Sequence, residues 1–120
     1  MPYRTFLVED DPLIRRQMTA MLEEVAGAQI VGIAETEEAA IEAMARIEWD
    51  VAVVDLQLRI GSGIGVARAF SERDSSQRLY VVTNHATSEV CECCRALKVD
   101  NVFDKLTELD ALLDALVSKA

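Results

Sequence analysis

The sequence predicts an α/β fold: a doubly wound parallel sheet of five strands with helices on both faces. Three observations carry this expectation. Five short apolar runs alternate with five segments whose apolar residues recur at helical spacing. The third run, Val51-Ala52-Val53-Val54, is apolar at every position, as in a strand covered on both faces. The connections are short and contain no repeat, linker or low-complexity tract. Right-handed crossovers between parallel strands then place helices on either side of the sheet.

The elements follow in order. Thr5-Phe6-Leu7-Val8 is a short buried strand that ends on Glu9-Asp10-Asp11. Pro12 suits the first turn of a helix, where its missing N–H has no partner to lose. Ile14, Met18, Met21, Leu22 and Val25 share one face of that helix, and Gly27 ends it. Ile30-Val31-Gly32-Ile33-Ala34 is the second strand. Thr36 is the N-cap of the next helix, and Glu37 and Glu38 match the positive end of its dipole. Ala39, Ala40, Ala43, Met44 and Ile47 form its apolar face. Residues 51–56 are the third strand, and Gly61-Ser62-Gly63-Ile64-Gly65 is a flexible turn into a short helix reaching about Phe70. After the polar connection Asp74-Ser75-Ser76, residues 79–83 form the fourth strand. Thr87 or Ser88 caps a helix carrying Val90, Cys94 and Leu97 inward, and Asn101-Val102-Phe103 is the fifth strand. Thr107 and Asp110 have capping-box spacing before a last helix with Leu109, Leu112, Leu113, Leu116 and Val117 inside.

Composition bounds the function. The 120 residues suffice for one domain with a single core, and 51% hydrophobic with 28% charged residues is the balance of a globular protein. A net charge of −9 offers no basic footprint for phosphate backbones, so direct nucleic-acid binding is not expected. No stretch approaches the roughly 20 apolar residues of a membrane span, and no signal peptide precedes the first strand. Cys91, Cys93 and Cys94 form no disulfide framework, which points to a reducing, cytoplasmic setting. Their C-x-x-C spacing lacks a second pair, and the only histidine, His85, is six residues earlier. Helical spacing with Val90 and Leu97 assigns Cys93 and Cys94 to the core.

The chemistry gathers at the C-terminal ends of the strands, where open α/β sheets bind ligands. Glu9, Asp10 and Asp11 follow the first strand, Asp55 closes the third, Thr83 the fourth, and Lys105 follows the fifth. Clustered carboxylates raise each other's pKa unless a cation neutralises them. Mg²⁺ takes one or two carboxylates plus phosphate oxygens, so Asp10 and Asp55 are the candidate ligands, with Glu9 or Asp11 reaching it through water. A carboxylate is also a competent nucleophile towards phosphorus. Lys105 supplies a compact positive charge for phosphoryl oxygens and Thr83 a hydroxyl. Singly, each has a plainer reading: a solvated helix entry, a turn residue, a strand-end cap, a surface charge. Their joint placement on one edge favours the metal and phosphoryl reading. Gly61-Ser62-Gly63 is no P-loop, since no Gly-Lys-Ser/Thr follows it.

In order and spacing, Phe6-Leu7-Val8-Glu9-Asp10-Asp11-Pro12, Val53-Val54-Asp55-Leu56, Val81-Val82-Thr83 and Phe103-Asp104-Lys105 resemble the receiver domains of bacterial two-component response regulators. The resemblance covers essentially the whole chain, residues 1–120, as a single domain. It implies the flavodoxin-like strand order 2-1-3-4-5. It marks Asp55 as phosphoacceptor, Asp10 as a direct Mg²⁺ ligand, Glu9 as the other acidic-pocket residue and the Gln57 backbone carbonyl as a further ligand. Thr83 becomes the switch hydroxyl, Lys105 the phosphoryl-pairing ammonium, and Gly63 the glycine of the loop after the acceptor. The implied partners are a histidine kinase or phosphotransfer protein on one side and a downstream protein target or fused output domain on the other. The implied output surface is the fourth helix, fifth strand and fifth helix.

Three positions depart from the family's pattern. Asn84 stands where a small residue commonly follows the switch threonine, and Val102 replaces an aromatic residue. Leu106 replaces a proline that usually follows a cis bond. A cis Lys105–Leu106 bond costs about 2.5–4 kcal/mol, so the alternatives are a trans bond with an adjusted loop or a strained cis one. Rival readings are weaker. A haloacid-dehalogenase-like phosphatase needs a second Asp where Gln57 stands, and a flavodoxin-like cofactor binder would not place Glu9-Asp10-Asp11 against a phosphate. A receiver-shaped module that is never phosphorylated has no need of the intact acids and lysine.

Overall fold

The computed structural model describes residues 3–118. Its elements alternate strictly: β1 (Arg4–Val8), α1 (Pro12–Ala26), β2 (Gln29–Ala34), α2 (Glu37–Met44), β3 (Val51–Asp55), α3 (Gly63–Ala69), β4 (Arg78–Thr83), α4 (Ser88–Ala96), β5 (Asn101–Asp104) and α5 (Leu109–Ser118). The strands form one parallel sheet in the order β2-β1-β3-β4-β5, the order that the resemblance implied.

Alternation along each strand splits the core into two layers. Leu7, Val51, Val53, Tyr80, Val82 and Phe103 face Met18 and Leu22 of α1 and Leu112, Leu113 and Leu116 of α5. Phe6, Val8, Ala52, Val54, Leu79 and Val81 face Ala40 and Met44 of α2, Val66 and Ala67 of α3, and Cys94 of α4. All five residues of β3, including Asp55, are buried, which is why its sequence is continuously apolar up to the acid.

The caps follow the sequence at most ends. Thr36 Oγ1 accepts from Ala39 N at 3.1 Å and Thr87 Oγ1 from Val90 N at 3.2 Å. Gly27 ends α1 in the left-handed region at φ 67°. Asp11 is the N-cap of α1, accepting from Leu13 N and Ile14 N at 2.9 and 3.2 Å, so its carboxylate serves the helix and not the acidic pocket. Ser62 is the N-cap of α3, and Gly63 already belongs to the helix.

Several expectations are corrected. Cys93 is exposed, because a neighbour of buried Cys94 sits about 100° around the helix. Val25 is 60% exposed, and Ala26 and Ala28 pack at the end of α1 instead. Val117 and Ala39 also face solvent. α2 ends at Met44, although Ile47 N still reaches Ala43 O. The capping box at Thr107 gives way to a turn organised by Asp104. Its Oδ1 accepts from Leu106 N at 2.8 Å and Thr107 N at 3.1 Å, while Glu108 Oε1 accepts from Asp104 N. No peptide bond among the described residues is cis, so the Lys105–Leu106 alternative adopted is the trans one.

Candidate functional site

Glu9, Asp55 and Lys105 are brought together by strand parity. Glu9 continues the alternation of Leu7, and Asp55 that of Val53, towards the α1/α5 layer. β1 and β3 are neighbours, so the two carboxylates emerge side by side. Lys105 follows β5, its N–H donating to Thr83 O at 2.8 Å, and its side chain reaches across β4 to both acids. The ammonium lies 2.8 Å from Glu9 Oε1 and 3.0 Å from Asp55 Oδ2. These side chains are 8%, 1% and 5% exposed, which makes this a buried ionic triad and not a surface pair.

The charges perturb one another. Burial pushes the Glu9 carboxyl up to about 7. The hydrogen bond from Lys105 pulls it back and the Asp55 charge pushes it further up. Burial works against the Lys105 ammonium, but its hydrogen bonds and attraction to Glu9 and Asp55 win and raise its pKa. Apart from the Lys105 ammonium at 2.8 Å, Glu9 Oε1 is buried without a hydrogen-bond partner. Glu9 Oε2 accepts from Asp11 N at 3.2 Å.

Asp10, the second residue past β1, also joins the cluster. Its Oδ2 accepts from Arg59 N in the loop after β3 at 2.5 Å. Glu9, Asp10 and Asp55 each place a carboxylate oxygen within 4.8 Å of the other two. Three carboxylates share one lysine, so two negative charges would be left uncompensated with all three ionised. Hard oxygen donors with that residual charge fit a divalent cation of the Mg²⁺ kind. Asp11, committed to α1, is not in this group.

The remaining residues frame Asp55. Gln57, exposed at the start of the loop, donates its backbone N–H to Asp55 Oδ1 at 3.2 Å. Gly63 donates to Leu56 O at 2.9 Å, and any side chain there would collide with the Asp55 carbonyl and the Leu56 Cα. Thr83 is fully buried at the end of β4 beside Asp55, and its Oγ1 accepts from His85 N at 3.1 Å. Asn84 is exposed, as is Leu106 at 81%. Val102 is half-buried and borders a cavity of about 260 Å³ between α4 and β5, with Cys91, Cys94 and Val99. The structure brings Glu9, Asp10, Asp55 and Lys105 together with Thr83 beside Asp55, and it adds two backbone features that the sequence reading missed. One is the Arg59 N–H on Asp10, which a backbone group does not advertise. The other is the Asp104 turn beside Lys105, which has an Asx-turn signature in Asp104-Lys105-Leu106.

Comparison with known proteins settles the family. The family model for the response regulator receiver domain matches residues 5–117. The chain belongs to this family. Among relatives of the receiver domain, the nitrate/nitrite response regulator protein NarP of Escherichia coli is 28% identical over 116 residues, covering 96% of this chain and 54% of NarP. The sensory transduction protein LytR of Staphylococcus haemolyticus is 28% identical over 87 residues, 72% of this chain and 34% of LytR. The receiver thus spans about a third to a half of these relatives. Among solved structures, a chain of the CheX–CheY–BeF3–Mg²⁺ complex from Borrelia burgdorferi superimposes with a TM-score of 0.88 at 17% identity, covering 99% of this chain and 90% of that one. The receiver domain of the response regulator NarL from Mycobacterium tuberculosis gives 0.82 at 22% identity, with 96% of each chain covered. These structures share its fold. No helix among the described residues is long and apolar enough to cross a membrane.

Proposed function

We propose that this receiver domain is a phosphorylation-controlled switch in which Asp55 accepts the phosphoryl group. The observation that carries the reading is the buried triad: a lysine held 2.8 and 3.0 Å from two carboxylates at the C-terminal edge of the sheet, one of them closing β3. A lysine so placed already stands beside Asp55, where the charge of an incoming phosphoryl group would arrive.

Asp10, Asp55 and the Gln57 carbonyl would hold Mg²⁺, with Glu9 engaged through water. The bound ion would neutralise phosphoryl oxygens as charge develops on them. An Asp55 carboxylate oxygen forms the new P–O bond as the P–N bond of a phosphohistidine donor breaks. The electron pair stays on the imidazole nitrogen, which then takes up a proton. With acetyl phosphate, the bond broken is P–O and acetate leaves. Lys105 exchanges part of its pairing with Asp55 for the phosphoryl oxygens. Thr83, one residue beyond the Asp55↔Val82 register, turns its hydroxyl from His85 N towards the new group. That movement carries the loop before α4 and shifts the α4, β5 and α5 surface between two packings. The partners are a histidine kinase or phosphotransfer protein upstream and a protein target or fused output domain downstream, without direct contact to nucleic acid or membrane.

Incubation with acetyl phosphate and Mg²⁺, followed by intact mass, tests the assignment. The wild type is expected to gain one phosphoryl group and Asp55→Asn none. An equal gain in both proteins would refute it.

A further inference from the structure

Glu37 opens α2, yet its carboxylate serves the loop that follows Asp55. Its Oε1 accepts from Ser62 N at 2.8 Å, and its own N–H donates to Ile60 O at 3.3 Å. Two glycines make room for it. A Cβ at Gly61, which has φ +85°, would collide with the Glu37 Cβ, and one at Gly65 would collide with its carboxylate. Gly65 lies within α3, where alanine is the better helix former, so its missing side chain matches the space that Glu37 fills. Capping does not account for the contact: Ser62 Oγ already caps α3 through Ile64 N at 3.1 Å, and Glu37 would satisfy the α2 dipole equally well pointing into solvent.

The contact leads to the proposed metal site in two steps. Ser62 forms an antiparallel bridge with Gln57 across the loop, and Gly63 N binds Leu56 O next to Asp55. Residues 57–62 are therefore held at two carboxylates: Asp10 through Arg59 N, and Glu37 through Ser62 N. Asp10 is also a candidate metal ligand, and a cation there competes with the Arg59 N–H for its electron density. Glu37 is outside the acidic pocket and keeps its hold in either state.

We infer that Glu37 is a positioning residue for the metal-binding side of the site, fixing the loop that presents the Gln57 carbonyl beside Asp10 and Asp55. The inference rests on the Mg²⁺ reading proposed above. It also ties the first turn of α2 to the acceptor loop, so a ligand or partner moving α2 would alter metal affinity.

The test is an Mg²⁺ titration of the full chain, followed by the amide resonances of Gln57 and Arg59, with hydrogen exchange at Ser62 N measured without metal. Loss of a charge-assisted hydrogen bond in Glu37→Ala should weaken Mg²⁺ binding about 5-fold or more and speed exchange at Ser62. Glu37→Gln, which keeps the accepting oxygen, should stay within about 2-fold of wild type. Gly65→Ala should weaken binding by displacing Glu37, and Glu37→Ala/Gly65→Ala should bind no worse than Glu37→Ala alone. Should Glu37→Ala not fold, Glu37→Asp, one methylene short, is expected to show the same loss. Unchanged Mg²⁺ affinity in Glu37→Ala, or losses that multiply in the double variant, would overturn the positioning role while leaving the metal site standing. A wild type that binds no Mg²⁺ would instead overturn the metal reading and this inference together.

Discussion

Replacing Glu9 by glutamine should make the metal-free protein more stable at neutral pH, against the usual cost of altering a buried group. Glu9 is 1% exposed, and its carboxyl is pushed up to about 7 from an ordinary 4.5, first by burial and then by the Asp55 charge. The folded state therefore binds a proton in the window between those values more tightly than the unfolded state. The sign follows: Glu9's contribution is fully present below about 4.5 and is lost as pH rises through about 7. At 1.36 kcal/mol per pH unit, the whole displacement is worth about 3 kcal/mol. Lys105, whose pKa is raised, stays charged throughout this window and adds no slope. Glutamine keeps the shape and cannot ionise, so subtracting its profile from that of the wild type cancels every carboxylate that does not interact with Glu9. The assay is urea unfolding in a chelator from pH 5.0 to 8.0, followed by Trp49, the only tryptophan and 2% exposed in the fold. The Glu9→Gln protein should gain about 2–3 kcal/mol on the wild type across this range, roughly 10 °C in Tm for a domain of this size. Parallel profiles would refute the buried, raised carboxyl and with it the charge balance drawn for the site.

Lys105→Met should act in the opposite direction, leaving Glu9 and Asp55 without their cation. A loss of about 3 kcal/mol at pH 8 is expected in chemical denaturation, shrinking towards pH 5 as Glu9 takes up a proton. Gly63→Ala should lose about 1–3 kcal/mol by the same measurement, because the new methyl meets the Asp55 carbonyl and the Leu56 Cα, both backbone. A thiol-alkylating reagent should modify exposed Cys93 first and half-buried Cys91 more slowly. Cys94, fully buried and with its thiol pushed up to about 11 by burial, should react only after unfolding, as peptide mapping would show.

Much of the architecture is legible in the chain because its signals are local. β3 announces burial on both faces by its uninterrupted run, and Thr36 and Thr87 cap helices where their hydroxyls precede helical spacing. Errors arise where a local signal has two outlets. Cys93 and Cys94 both fit a helical stripe, but only one can face the sheet. Thr107 has the spacing of a capping box, yet its own amide is taken by Asp104 from the preceding strand end. Val25 lies on the right face of α1, but in its last turn the packing is taken by Ala26 and Ala28.

By itself the sequence determined that Asp10, Asp55, Thr83 and Lys105 stand at strand ends, because strand and helix periods are written in neighbouring residues. The division of labour within Glu9-Asp10-Asp11 is tertiary. Asp11 caps α1, Asp10 reaches the Arg59 amide, and Glu9 turns inward to Lys105. Three adjacent acids look alike in sequence. What Asp10 and Glu9 meet comes from segments distant in the chain, the loop after β3 for Asp10 and the residue after β5 for Glu9.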